Sequence, residues 1–139
     1  WDDRSGDRLR EWLGITREQF YDPKLFAHVP MGFCYPGKGT SGDLPPRPEC
    51  APQWHRPLLN TLRKIELTMY IGKYALDRYL PGEYASITDA VRAFEGLLPI
   101  RIVLPHPSPR NNIWLKKNAW FEKRALPALQ ARIADMTNG

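Results

Sequence analysis

The stretch Pro105 to Asn112 holds one histidine, one serine, one arginine, two asparagines and three prolines, directly after the apolar run that ends at Leu104. Such a loop holds polar groups rigidly at the end of a strand, where a sheet presents them to a ligand. His106 is its natural electrophile, because an imidazole N–H set in place beforehand stabilises negative charge that develops on a leaving group. Arg110 suits another task, since its planar guanidinium both stacks and seeks phosphate. A stiff surface turn around an ordinary histidine would use the same residue types, and the loop by itself leaves both readings open.

Cys34 and Cys50 lie sixteen positions apart across a segment with Gly37, Gly39, Gly42 and four prolines. That composition rejects regular structure yet is too stiff for a disordered linker, which predicts an ordered functional loop over 34–49. Two cysteines are too few for a disulfide framework in 139 residues, so a reducing, cytosolic setting is expected. His28, in an apolar stretch, is read as a satisfied core residue.

The elements that would position these groups follow from periodicity. Leu9, Trp12 and Leu13 have the i, i+3, i+4 spacing of an amphipathic helix that starts near Ser5 and stops at Gly14. Thr16 and Gln19 form a capping box for a short turn of helix through Tyr21, which Asp22-Pro23 breaks. Leu25 to Phe33 reads as a buried strand that must end or bulge at Pro30, a residue with no ladder hydrogen bond to donate. Pro52 to Arg63 is a helix with Trp54, Leu58, Leu59 and Leu62 on one face, and Ile65 to Gly72 a second buried strand. Lys73 to Leu80 and Ser86 to Phe94 are helices parted by Pro81-Gly82, the second with Ile87, Val91 and Phe94 inward. Arg101 to Leu104 is a third strand, and Asn118 to Met136 a long terminal helix that Pro127 kinks.

Alternating strands and helices imply parallel crossovers. The expected fold is therefore α/β, a three-layer α/β/α sandwich on a short central parallel sheet, with functional loops beyond the carboxyl ends of its strands. With 42% hydrophobic residues the chain supports one core, so residues 1–139 are read as a single domain.

Twenty Lys and Arg against fifteen Asp and Glu give a net charge of +5, which attracts polyanions. Arg4, Arg8, Arg10, Lys38, Arg47, Arg110, Lys116 and Lys117 fall in or near the expected strand-end loops. Each is as readily a solvated surface charge, and only Lys116 and Lys117, beside the histidine loop, stand out from that background. No apolar run of about eighteen residues and no basic-then-apolar leader is present, so a soluble, non-secreted protein without a membrane partner is expected.

The string His106-Pro107-Ser108-Pro109-Arg110-Asn111 after a buried strand resembles the second motif of the uracil-DNA glycosylase superfamily. Within it, the string looks most like that of the single-strand-selective monofunctional enzymes. The resemblance implies a hydrolase that cuts the N-glycosidic bond of a damaged base, uracil or a related deaminated base, flipped out of DNA. It makes His106 the catalytic residue that hydrogen-bonds the departing base and places Ser108 at the substrate. It also makes Pro109, Arg110 and Asn111 a wedge that enters the duplex, with Lys116 and Lys117 beside it on the DNA.

Trp1, followed by Gly6 and an amphipathic helix, resembles a segment of the thermostable iron–sulfur type, family 4, in which an aromatic stacks on uracil. Trp1 is accordingly the expected platform for the base. Cys34 and Glu49-Cys50 resemble the last two cluster cysteines of the same type and so become candidate ligands of a structural 4Fe-4S cluster. A cluster takes four thiolates, so the other two would precede Trp1. Two plain thiols, or zinc, are the alternatives. The family's first motif, with its strand and the residue that positions the attacking water, would also precede Trp1, making this chain an N-terminally truncated domain. DNA is the implied partner, and the protein is expected to be a monomer of the bacterial cytosol.

One position departs from the pattern. The asparagine that reads uracil, four residues before the strand-end cysteine, is Pro30 here. Three readings follow: a uracil-DNA glycosylase-like hydrolase, a glycosylase for another lesion, or a DNA-binding relative that has lost hydrolysis.

Overall fold

The computed structural model describes residues 3–28, 38–39, 42–43 and 65–138. The chain divides into two compact units, residues 1–27 with 66–139, and residues 28–65. In the smaller unit the described backbone is a minimal antiparallel hairpin, β1 (Lys38–Gly39) against β2 (Gly42–Asp43), with Gly39 opposite Gly42. Composition predicts no regular structure there. A rung of ladder between glycines needs only backbone groups, which residue propensities do not register.

The larger unit opens with α1 (Arg4–Leu13) and α2 (Arg17–Phe20). Asp3 caps α1 by accepting the Gly6 N–H at 2.9 Å, and Gly14 closes it in the left-handed conformation at φ 69°. Thr16 and Gln19 make the reciprocal capping box that their spacing predicts. Leu9, Trp12 and Leu13 are buried, as their periodicity requires.

The run after α2 differs from expectation. Leu25 lies in a turn, with the Leu25 and Phe26 N–H groups both donating to the Asp22 carbonyl, and residues 26–28 join no ladder. The Asp22 side chain also accepts the Lys24 N–H, so the Asp-Pro turn extends further than apolar pattern alone indicates. The rest of the predicted strand, and the predicted helix over 52–63, lie outside the described residues.

The described parallel sheet consists of β3 (Thr68–Ile71) and β4 (Arg101–Leu104), in register from Thr68 beside Arg101 to Ile71 beside Leu104. Between them run α3 (Lys73–Tyr79), α4 (Ile87–Arg92) and α5 (Phe94–Leu97). The predicted helix over 86–94 is thus two short ones that meet at Ala93. Ile102, Val103 and Leu104 are all fully buried. Neighbours in a strand point to opposite faces, so both faces of β4 are covered, as in a helix–sheet–helix sandwich.

After β4 a 3₁₀ turn (Pro109–Asn111) leads into α6 (Asn112–Lys117), then a π turn (Phe121–Ala125) runs into α7 (Leu126–Asn138). Just ahead of Pro127, where a kink is expected, the helix changes register. Pro127 has no N–H for the carbonyl four residues back, and Leu126 donates to Phe121, five residues back. Phe121, Ala125, Leu129 and Ile133 bring this terminal helix into the core with α1 and β4.

Gly14 gives a test of the α1 terminus. A Cβ there would meet Gln130 Cγ at 3.3 Å on a backbone at φ +69°. Gly14→Ala should therefore cost about 1–2 kcal/mol of stability, read as a lowered denaturation midpoint at unchanged m-value.

Candidate active site

The carboxyl ends of β3 and β4 lie side by side, locked by the Gly72 N–H donating to the Leu104 carbonyl at 2.9 Å. His106 begins two residues beyond that rung, and Gly72 lies directly against it. A Cβ on Gly72 would stand 3.7 Å from the His106 Cβ and 3.8 Å from its Cδ2. Gly72 adopts φ 88°, which lets the chain leave β3 and enter α3 beside the histidine ring.

The prolines act as a bracket. Pro105 and Pro107 are buried while His106 between them is exposed, so alternation presents the imidazole outward from a fixed base. Proline has no N–H, so burying it at the sheet edge leaves no donor without a partner. The loop then closes on itself. Ser108 Oγ accepts the Arg110 N–H at 3.2 Å, and the Ser108 carbonyl accepts the Asn111 N–H at 3.0 Å. Asn111 Nδ2 donates to the His106 carbonyl at 2.6 Å. Helix α1 adds a strut, with an Arg8 guanidinium N–H 3.4 Å from the Ser108 carbonyl.

His106 Nδ1 accepts the Ser108 backbone N–H at 3.2 Å. A ring nitrogen that accepts carries no proton, so the neutral imidazole is held as the tautomer with its hydrogen on Nε2. The ring edge keeps access to solvent, but the protein packed around it removes part of its hydration. This desolvation holds the His106 pKa below the ordinary 6.5, against a smaller upward pull from the Asp3 carboxylate. The site thus presents a neutral N–H donor at the end of a buried strand, suited to an oxyanion that forms during reaction.

Of the residues singled out in the sequence, His106, Ser108, Pro109, Arg110 and Asn111 share this one loop, and Lys116 and Lys117 are exposed on α6 immediately after it. Trp1, Pro30, Cys34 and Cys50 lie outside the described residues, as do the side chains of Lys38 and Arg47. Among the described residues no group of three or more His, Cys, Asp or Glu could hold a metal ion, and no helix is long and apolar enough to cross a membrane.

Two expectations change. Arg10 is 7% exposed, paired with Asp7 and set over the rings of Phe20 and Tyr21, so it props α1 against α2 rather than tracking phosphate. His28 is exposed, not a core residue, because the chain there runs past a turn instead of through a strand. Periodicity passes over Asp3 and Gly72 as site residues. The signals they leave in sequence, an N-cap aspartate and a strand-end glycine, are shared by many purely structural positions.

Residues 1–130 match the family model of the uracil DNA glycosylase superfamily. The chain belongs to that superfamily. The matched span takes in α1, both strands of the parallel sheet, the histidine loop and α6. Superfamily membership brings with it a DNA-glycosylase-like function of the hydrolase class, and DNA as the molecule acted on.

The electrostatics give two expected outcomes. Between the folded pKa of His106 and 6.5 the unfolded chain binds more protons than the folded one. Stability should therefore fall as pH drops from 6.5 through the folded value and level off below it, a trend that His106→Gln should flatten in urea titrations. Asp3→Asn keeps an N-cap but removes the opposing charge, so it should lower the His106 pKa further, as followed by NMR of the imidazole Cε1 proton.

Proposed function

We propose that the chain is a DNA N-glycosylase that hydrolyses the bond between deoxyribose and a flipped-out deaminated base, uracil or a close relative. The observation that carries this reading is the Ser108 N–H on His106 Nδ1, which puts the hydrogen of the neutral ring on Nε2 at the carboxyl end of β4. As the N-glycosidic bond breaks, its electron pair passes to the base and the charge spreads onto a pyrimidine oxygen. The Nε2–H donates a hydrogen bond to that oxygen, the water oxygen bonds to the sugar carbon, and the proton that the water releases is finally taken up by the departed base. A donor already neutral and oriented needs no reorganisation at the moment of cleavage. Protonation of Nδ1 would set a proton against the Ser108 N–H, so desolvation and this hydrogen bond both favour the working form.

The remaining roles complete the reading. Trp1 stacks on the base, Ser108 lies at its edge, and Pro109, Arg110 and Asn111 press into the duplex while Lys116 and Lys117 meet phosphates. Cys34 and Cys50 supply two of four thiolates to a structural iron–sulfur cluster, which iron content and visible absorbance of the full-length protein would reveal and Cys50→Ala would abolish.

Pro30, where an amide would read uracil, favours two further readings: a glycosylase for a lesion other than uracil, or a relative that binds DNA without base release. The test is release of uracil, hypoxanthine and xanthine from single- and double-stranded oligonucleotides by the full-length protein. Loss of one oxyanion donor costs about 10²–10³ in rate, and His106→Ala should lose that much with little change in DNA affinity. Binding without release of any of the three bases would exclude hydrolysis of these lesions.

A further inference from the structure

Ser108 is the pivot of the histidine loop, and one of the bonds that hold it comes from far away in the chain. Among the described residues four hydrogen bonds meet there. The Ser108 N–H donates to His106 Nδ1 at 3.2 Å, and its Oγ accepts the Arg110 N–H at 3.2 Å. Its carbonyl accepts both the Asn111 N–H at 3.0 Å and an Arg8 guanidinium N–H at 3.4 Å. The first three lie inside the loop, so they fix its shape and would turn with it. The fourth is the longest, yet it spans 100 positions and joins the loop to α1.

Two features let that bond act at a distance. Ser108 stands between Pro107 and Pro109, and a residue that precedes proline is confined to extended conformations; its φ of −66° and ψ of 146° are of that kind. Its carbonyl cannot swing without carrying its N–H along, which makes the residue a lever from the guanidinium to the imidazole. The far end is equally fixed. Leu9 and Trp12 of α1 are buried, Trp12 meets Phe121 edge to face at 5.0 Å, and Gln130 Nε2 of α7 donates to the Trp12 carbonyl at 3.1 Å. Arg8 itself is half-buried, where a charged donor holds a carbonyl more strongly than a neutral one.

We propose that Arg8 is a positioning residue for base excision, acting through Ser108 to hold the His106 imidazole at the departing base rather than tracking phosphate. The proposal rests on the glycosylase reading above. Arg8 and Arg10 then do matching work: Arg10 props α1 against α2, and Arg8 props it against the histidine loop.

The experiment follows single-turnover base release by the full-length protein from a single-stranded oligonucleotide carrying uracil, hypoxanthine or xanthine, whichever wild type releases. Arg8→Met keeps an unbranched stem and removes the donor and its charge. Its maximal rate should fall about tenfold, less than the about 10²–10³ lost with an oxyanion donor itself. The half-saturating protein concentration should stay within twofold, and the slope of log affinity against log salt should not change. Arg8→Lys, which keeps a charged donor, should recover most of the rate. Hydrogen exchange at the Ser108 amide should quicken in Arg8→Met while that of the Gly72 amide stays as in wild type.

An unchanged maximal rate in Arg8→Met would overturn the brace. So would weaker binding with a shallower salt slope at a normal maximal rate, which would make Arg8 a phosphate contact. Either result, alongside His106-dependent release, leaves the glycosylase reading in place. If wild type releases none of the three bases, that reading fails together with the role of Arg8 in excision, and unchanged exchange at the Ser108 amide in Arg8→Met would remove the brace as well.

Discussion

The site depends on one backbone hydrogen bond, from the Gly72 N–H to the Leu104 carbonyl, the last rung of the parallel pair β3–β4. It brings the ends of two strands together although they are separated in sequence by three helices. The candidate site is measured from that rung: His106 two residues beyond it on one strand, and the glycine against the ring on the other. The sheet can impose this geometry because β4 is covered on both faces, so that slipping its register would expose Ile102, Val103 or Leu104 and cost several kcal/mol of apolar burial.

From that anchor the loop is stiffened in stages. Two buried prolines hold the backbone down on either side of His106. Ser108 serves both directions, with its N–H on the imidazole and its hydroxyl on the turn that follows. Asn111 closes the loop onto the His106 carbonyl. The consequence is electrostatic as well as mechanical, since the hydrogen bond to Nδ1 and the partial loss of water around the ring select the same protonation state. A hydrogen-bond donor that is neutral and preset works without rearrangement, and rearrangement is the cost that a preorganised site avoids.

The helices beyond the loop extend the same frame. Trp114, Trp120 and Phe121 meet edge to face, Asn118 Oδ1 accepts the Trp120 indole N–H at 3.2 Å, and Trp12 of α1 packs on Phe121. Aromatic pairs of this kind add about 0.5–1.5 kcal/mol beyond their buried area. They couple α1, α6 and the π turn into one support. The residues that face outward from α6 are thus presented by a rigid base.

Local chemistry was legible in the sequence wherever a signal is short in range. The helix over α1, its Gly14 stop, the Thr16 and Gln19 box, the strand over Arg101–Leu104 and the histidine motif all depend on neighbours within a few positions, and each is present where the residues indicate. The extension of the Asp22-Pro23 turn through Phe26, the division at Ala93 and the π register before Pro127 were not legible. In each, a backbone hydrogen bond competes with apolar pattern, and pattern alone does not rank the two. The sequence by itself determined which residues could do the chemistry. Only the tertiary structure decided that Gly72 meets His106, that Asp3 opposes the fall in its pKa, and that Arg10 is buried as a strut. The reason is range: these relations join positions far apart in the chain or depend on how helices are seated, and packing of the whole core sets them rather than any local preference.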